Sequence, residues 1–230
     1  MGGLRHLTAE PGRVPVRVGV SIGDTLAALH GVIGVMMALY HRKVNGGAGQ
    51  VIDVALHEAV FNCMESLIPE YSAFGAVREP AGSALPGIAP SNAYPCRDGW
   101  VLVAGNGDSI FKRLMATIDR QDLADDAQLA DNAGRVARVA EIDAAIGTWT
   151  GQHSVAQVME RLAAARVPAG KVYTAKDIAE DPHYQARGML LQQQTRDGYS
   201  ITVPGVVPKL SATPGTVRTS APHLGDDTDA

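Results

Sequence analysis

A chain of 230 residues, 46% hydrophobic and 19% charged, has the balance of a soluble globular protein, large enough for one substantial domain or two small ones. Its formal net charge of −4 supplies no basic surface for nucleic acid or an anionic membrane. The two cysteines, Cys63 and Cys96, sit far apart with no CxxC or Cys/His cluster around them, so they read as reduced thiols, with no zinc or other metal site.

In chain order, "MGGLRHLTAEPGR" has no apolar core and hence no signal-peptide pattern, and residues 1–15 form a polar lead containing Gly and Pro. "VRVGVSI" (16–22) alternates loosely and is β-branched, which predicts a strand. Gly23 and Asp24 make a turn. Thr25 to Lys43 predicts a helix that is apolar on nearly every face and therefore buried on most sides. Its apolar run, Leu26 to Tyr40, is shorter than the ~20 residues of a bilayer span, so no membrane is expected. His41, Arg42 and Lys43 place positive charge at the helix C-terminus, and "NGGAG" (45–49) ends it. "QVIDVAL" (50–56) predicts a second strand, completing a βαβ unit with a parallel sheet.

"HEAVFNCMESLIPEYSAF" (57–74) predicts a helix broken at Pro69, and the Gly-, Pro- and Ser-rich stretch 75–93 predicts a linker followed by a structured loop. "GWVLVAG" (99–105) predicts a strand and "DSIFKRLMATI" (108–118) an amphipathic helix. Helices are expected in 134–150 and 154–166, with a turn and strand in 167–174. A short helix interrupted by Pro182 follows in 175–189. A hairpin in 190–205 turns at Asp197–Gly198.

"GVSIGDTLAALHG" (19–31) is the stretch that invites chemistry. Asp24 between a strand and a helix has two readings. As an N-cap, its carboxylate would accept bonds from the N–H groups of the first turn. As a reactive group, it stands where α/β proteins place their sites, beside a helix N-terminus that favours negative charge. A poorly hydrated carboxylate can attack an activated acyl group, and Gly23 leaves room for a thioester to approach. Physical reasoning from the sequence leaves both open.

The other titratable candidates have plainer readings. His30 reads as a satisfied residue of the buried helix. His41 and His57 read as surface or cap residues, and His153, His183 and His223 show no partner spacing. "GNGDSI" (105–110) has Ile110 where a dinucleotide fingerprint needs glycine, and "NGGAGQ" lacks the GK[ST] ending of a phosphate loop.

Four ordered stretches carry a resemblance. "PVRVGVSIGDTLAALHGVIGVMMALYHRKVNGGAGQVIDVALHEA" resembles the central segment of class III CoA-transferases, the CaiB/BaiF group that includes formyl-CoA transferase. "LPGIAPSNAYPCRDGWVLVAGNGDSIFKRLM", "VPAGKVYTAKDIAEDPHYQARGM" and "APHLGDDT" follow in the family's order, and the chain looks most like the succinyl-CoA-dependent dicarboxylate transferases.

That resemblance implies an α/β fold: a partial Rossmann-like large domain plus a smaller α/β domain, lacking the family's N-terminal region. Residues 1–55 and 185–230 would belong to the large domain, 56–79 to a linker helix and 80–184 to the small domain. It implies Asp24 as the catalytic aspartate and the loop containing Gly82, Gly87 and Asn92 as the source of oxyanion-stabilising N–H donors. No cofactor is held permanently; a coenzyme A thioester is the substrate, with a carboxylic acid as acceptor. The expected setting is a cytoplasmic homodimer, or a chain completed by a separate N-terminal half. Exposed apolar surface is expected where that region is missing. The rival readings are an α-methylacyl-CoA racemase, which Asn106 after "VLVAG" disfavours because a Glu is expected there, and a non-catalytic fragment or subunit.

Overall fold

The computed structural model describes residues 2–226 and Thr228. Met1 and Asp227, Asp229 and Ala230, the last of which end the expected 185–230 segment, lie outside the described residues. Contacts divide the chain into two compact units, Met1–Gly170 and Lys171–Ala230.

The first unit begins with a single helical turn, α1 (Leu4–Leu7), and a 23-residue helix, α2 (Ile22–Val44). Two short helices follow, α3 (Leu56–Phe61) and α4 (Leu67–Phe74). The break between them falls at 62–66 and not at Pro69, which sits in the first turn of α4, where a missing N–H costs nothing. Neither predicted strand forms: 16–22 and 50–56 are not paired in any sheet among the described residues. Residues 50–55 run without regular structure into α3, with no hydrogen-bonded neighbour in the described chain to make them a strand.

The expectation that α2 is buried is also corrected. The helix has no buried residue. Its half-buried face combines small residues, Gly23, Ala27, Gly31, Gly34 and Ala38, with Ile22, Leu26 and His30. That face packs on α3 and the segment before it, so that a Cβ on Gly34 would come within 2.8 Å of Ile52. Leu29, Val32, Ile33, Met36, Met37 and Tyr40 lie on the remaining faces and are exposed. One short neighbour covers one stripe, and a helix apolar all round needs cover on the others. At 23 residues and ~1.5 Å per residue, α2 is also long and apolar enough to cross a bilayer, contrary to the length argument from its apolar run.

The rest of the first unit is closely packed. β1 (Ser91–Cys96) pairs antiparallel with β2 (Gly99–Ala104), Tyr94 opposite Val101, and β3 (Ala169–Lys171) lies on the other side of β2. β1 lies in a stretch that the Pro and Ser content marked mainly as loop; pairing with β2 extends it, and Pro95 is accommodated opposite Trp100. Val101 and Val103 point inward while Trp100 and Leu102 point out. α5 (Asp108–Thr117) buries Phe111, Leu114 and Met115 at helical spacing. α6 (Gln121–Ala124), a 3₁₀ turn (Ala127–Leu129) and α7 (Asn132–Ala137) lead into α8 (Val139–Thr150) and α9 (Val155–Ala164). α8 packs on β1 and α9 on β2, and the core runs from Tyr94 through Ile142, Ile146 and Val158 to Val167. α9 opens with a capping box, Ser154 and Gln157 each bonding the other's backbone N–H.

Arg135 is fully buried at the centre of this module. Its guanidinium donates to the carbonyls of Ala89 (3.1 Å), Leu129 (3.0 Å) and Asn106 (2.8 Å) and to Asp108 Oδ1 (2.7 Å), and lies over the Phe111 ring. A cation removed from water this completely persists because its donors are met. Asp108 is thereby committed to the scaffold.

The second unit contains α10 (Ala175–Glu180) and α11 (Pro182–Ala186), separated at Asp181. The antiparallel pair β4 (Leu190–Gln194) and β5 (Ser200–Pro204) follows. Gly198, with φ of 84°, makes the turn where the sequence places it.

Candidate active site

Local forces gather three segments around buried Val60. Gly2 and Gly3 approach α3 and its continuation at Val60 and Leu67. The N–H of Val16 donates to Thr8 O at 2.8 Å, folding the segment 16–21 back beside α1. Gly23 in the first turn of α2 faces Val60 at close range. The result is a cavity of about 210 Å³ lined by Leu4, Arg5, Arg17, Val20, Gly23 and Asp24, with Val18, Ser21, Ile22 and Val60 completing the wall.

Asp24 is the third residue of α2, not its N-cap. Ser21 occupies the cap position and makes no side-chain cap bond. The Asp24 side chain is exposed, and no hydrogen bond or ion pair engages it among the described residues. The capping reading therefore fails on geometry: Thr25, not Asp24, bonds Ser21, through both its N–H and its hydroxyl, to the Ser21 carbonyl at 3.1 Å. What remains is an exposed carboxylate on the first turn of a long helix, where the N-terminal dipole favours negative charge, beside a cavity whose wall also includes Arg5 and Arg17.

The cavity is smaller than the ~300–1,000 Å³ typical of sites that enclose a drug-sized ligand.

The loop residues are placed elsewhere. Nothing from 82–92 lines the Asp24 cavity. Gly82, at φ of 63°, gives its N–H to Ala9 O at 2.9 Å and faces Glu10. Gly87, at φ of 77°, accepts from the Asn132 side chain at 2.8 Å. Asn92 donates to Asp143 Oδ2 at 2.9 Å and accepts from Ser83 at 2.5 Å and from Ala93 N–H at 2.8 Å. Asp143 in turn accepts from the buried Tyr94 hydroxyl at 2.6 Å; burial, then this bond, drives the phenol pKa far upward. Asn92 thus ties loop, strand and α8 together, and lines a separate apolar cavity with Ser83, Leu102 and Ala169.

His30 is half-buried and bonded at both ring nitrogens. Leu26 O can only accept, so Nδ1 carries the proton (2.8 Å), and Nε2 accepts from Asn62 at 3.3 Å. It lines a second cavity of about 610 Å³ with Ile52, Asp53, Glu58 and Phe61, apart from Asp24. Sequence reasoning missed Arg5 and Arg17 at the site. Nothing in their spacing signals it, because the Thr8–Val16 bond is what folds the segment of Arg17 back beside that of Arg5. No group of three or more His, Cys, Asp or Glu able to hold a metal occurs among the described residues, and both cysteines are free.

The chain is 42% identical over 226 residues to a succinyl-CoA–D-citramalate CoA-transferase of Chloroflexus aurantiacus, covering 98% of this chain and 56% of that protein. It is 30% identical over 228 residues to a succinate–glutarate CoA-transferase of Agrobacterium fabrum, covering 98% of this chain and 56% of that one. The crystal structure of a CaiB/BaiF family protein from Brucella suis superposes with a TM-score of 0.82 at 31% identity, covering 97% of this chain and 57% of that one. The chain therefore spans little more than half the length of the relatives it matches. The match to the model of CoA-transferase family III runs over residues 1–228, nearly end to end, and to that family the chain belongs.

Proposed function

We propose that this chain carries the nucleophile of a CoA-transferase that moves CoA from an acyl-CoA, succinyl-CoA first, to a free carboxylic acid. The observation that supports it most is Asp24: a carboxylate without a partner among the described residues, in the first turn of a helix and lining a cavity of about 210 Å³. The names of similar proteins, transferases that use succinyl-CoA, support the donor.

In this reading an Asp24 carboxylate oxygen attacks the thioester carbonyl, the C–S bond breaks, and CoA leaves as thiolate from a mixed anhydride. The thiolate attacks the aspartyl carbonyl, releasing the donor acid and leaving an aspartyl-CoA thioester. The acceptor carboxylate attacks that thioester, and CoA thiolate then returns to the acceptor's acyl carbon and frees Asp24. Each tetrahedral oxyanion needs N–H donors. We keep Gly82, Gly87 and Asn92 as the loop that supplies them, which requires Gly82 to release Ala9. The domain division at 55, 79 and 184 belongs to the same reading.

The exposed faces of α2 and the unpaired residues 50–55 we assign to contact with the remaining length of the family fold, in the same polypeptide or a separate chain. A homodimer is the alternative cover. Protein cover is preferred to lipid because the helix carries Asp24 in its first turn and rests its small-residue face on α3; the setting is then cytoplasmic.

The test is the intact mass of the chain after incubation with succinyl-CoA, beside Asp24→Asn. An acyl or CoA adduct on the parent alone supports Asp24 as the nucleophile. Equal adducts on both, or none on either, remove it.

A further inference from the structure

We propose that Asn45 is a self-modifying site: with His41 as proton donor, it loses its side-chain nitrogen to attack by the Gly46 backbone and becomes aspartate or isoaspartate. The chemistry is independent of Asp24 and of CoA.

The chain has two Asn–Gly pairs, Asn45–Gly46 and Asn106–Gly107, and both asparagines are exposed. They differ in what holds them. Asn106 is anchored on both sides. Its carbonyl accepts from buried Arg135 at 2.8 Å, Gly105 N–H donates to Pro90 O at 3.0 Å, and Gly107 O accepts from Phe111 N–H at 2.7 Å as α5 begins. Turning the Asn106 peptide to bring the Gly107 nitrogen onto the side chain would take an acceptor from Arg135. Asn45 ends α2 with its N–H on His41 O at 2.9 Å, and beyond it residues 46–54 make no backbone hydrogen bond among the described residues. The Gly46 N–H is free to lose its proton, and with no Cβ at residue 46 nothing crowds its approach to the Asn45 side chain.

The leaving group is already engaged. Asn45 Nδ2 donates to His41 Nδ1 at 3.3 Å, and the imidazole lies so close to the loop that a Cβ on Gly47 would strike it. The deprotonated Gly46 nitrogen attacks Asn45 Cγ and a C–N bond forms. The Cγ–Nδ2 bond then breaks as His41 Nδ1, protonated from solvent, hands its proton to the departing nitrogen, and ammonia leaves a cyclic imide. Water adds to one imide carbonyl and breaks its bond to the Gly46 nitrogen or to the Asn45 main-chain side, which yields aspartate or isoaspartate. The net change is carboxamide plus water to carboxylic acid plus ammonia. The product puts negative charge at the C-terminal end of α2, where the helix dipole disfavours it.

The experiment incubates the full chain at neutral pH and follows both asparagines by peptide mass, where the conversion adds about 1 Da, with isoaspartate separated by chromatography. The expected result is conversion at Asn45 about tenfold faster than at Asn106 in the same molecule, and about tenfold slower at Asn45 in His41→Gln and in His41→Phe, with Asn106 unchanged. If His41 only packed the loop, its replacement would free residues 45–47 and speed the conversion. Equal rates at the two asparagines, no conversion at Asn45, or a rate at Asn45 that is unchanged or faster in both His41 variants overturns the proposal. The Asn106 rate, read in the same sample, shows whether a variant has loosened the fold as a whole.

Discussion

Residues 1–75 and residues 89–170 belong to one compact unit and yet are built in opposite ways. In the second stretch nearly every apolar periodicity is honoured: α8 turns a stripe onto β1, α9 one onto β2 and α5 one toward α9, and the main hydrophobic core lies between Tyr94 and Val167. In the first, the longest helix of the chain has no buried residue, and only Ala9, Ala59 and Val60 are buried among the described residues. Apolarity therefore does not decide burial. A stripe can be covered by one neighbour, whereas a helix apolar on every face needs several. The candidate nucleophile sits in the open region, in the first turn of that exposed helix.

The contrast is open to attack in several ways. The largest effect is expected in native-state hydrogen exchange: amides of α8 and α9 protected by several orders of magnitude more than those of α2, whose hydrogen bonds face solvent. Comparable protection would mean that α2 is covered in solution, and dye binding with measured mass would then show whether by a second copy. Replacing Arg135 with Ala strips four acceptors of their donor at once and should cost about 3–5 kcal/mol, seen as a lost or strongly lowered melting transition.

Ile146→Ala should cost about 2–5 kcal/mol in chemical denaturation, because a fully buried side chain leaves a cavity. Met37→Ala in α2, 67% exposed, should move the same transition by less than about 0.5 kcal/mol. If both cost the same, the comparison is wrong.

Two pH effects sharpen it further. Tyr94 has its folded pKa raised, so its contribution is complete below the ordinary tyrosine value of ~10 and is lost as pH rises above it. The packed module should lose stability above pH ~10, and Tyr94→Phe should flatten that loss at a cost of about 1 kcal/mol near neutrality. Asp122, Asp126 and Glu141 are held below the usual carboxylate range by hydrogen bonds from Arg120 and Arg138. Their contribution is present above ~4 and fades as pH falls further, a small effect because Asp122 and Glu141 are exposed and Asp126 only partly covered, readable as an acid-side slope that salt reduces.

Much of the fold and part of the site were legible in the residues alone. Asp197–Gly198 marked its hairpin, "GWVLVA" its strand and "DSIFKRLMAT" its helix, since turn chemistry and apolar spacing act over a few residues. The run from Leu26 to Tyr40 marked a helix for the same reason, and the ordered motifs around Asp24 marked the family. Tertiary structure alone decided the rest. Residues 16–22 and 50–56 have strand composition, but a strand exists only with a hydrogen-bonded neighbour, which no local pattern supplies. The burial of Arg135, the Asn92–Asp143–Tyr94 link and the placing of Arg5, Arg17 and Asp24 around one cavity all depend on contacts between distant segments. Sequence spacing carries no record of those contacts, because packing brings the segments together only once the chain has folded.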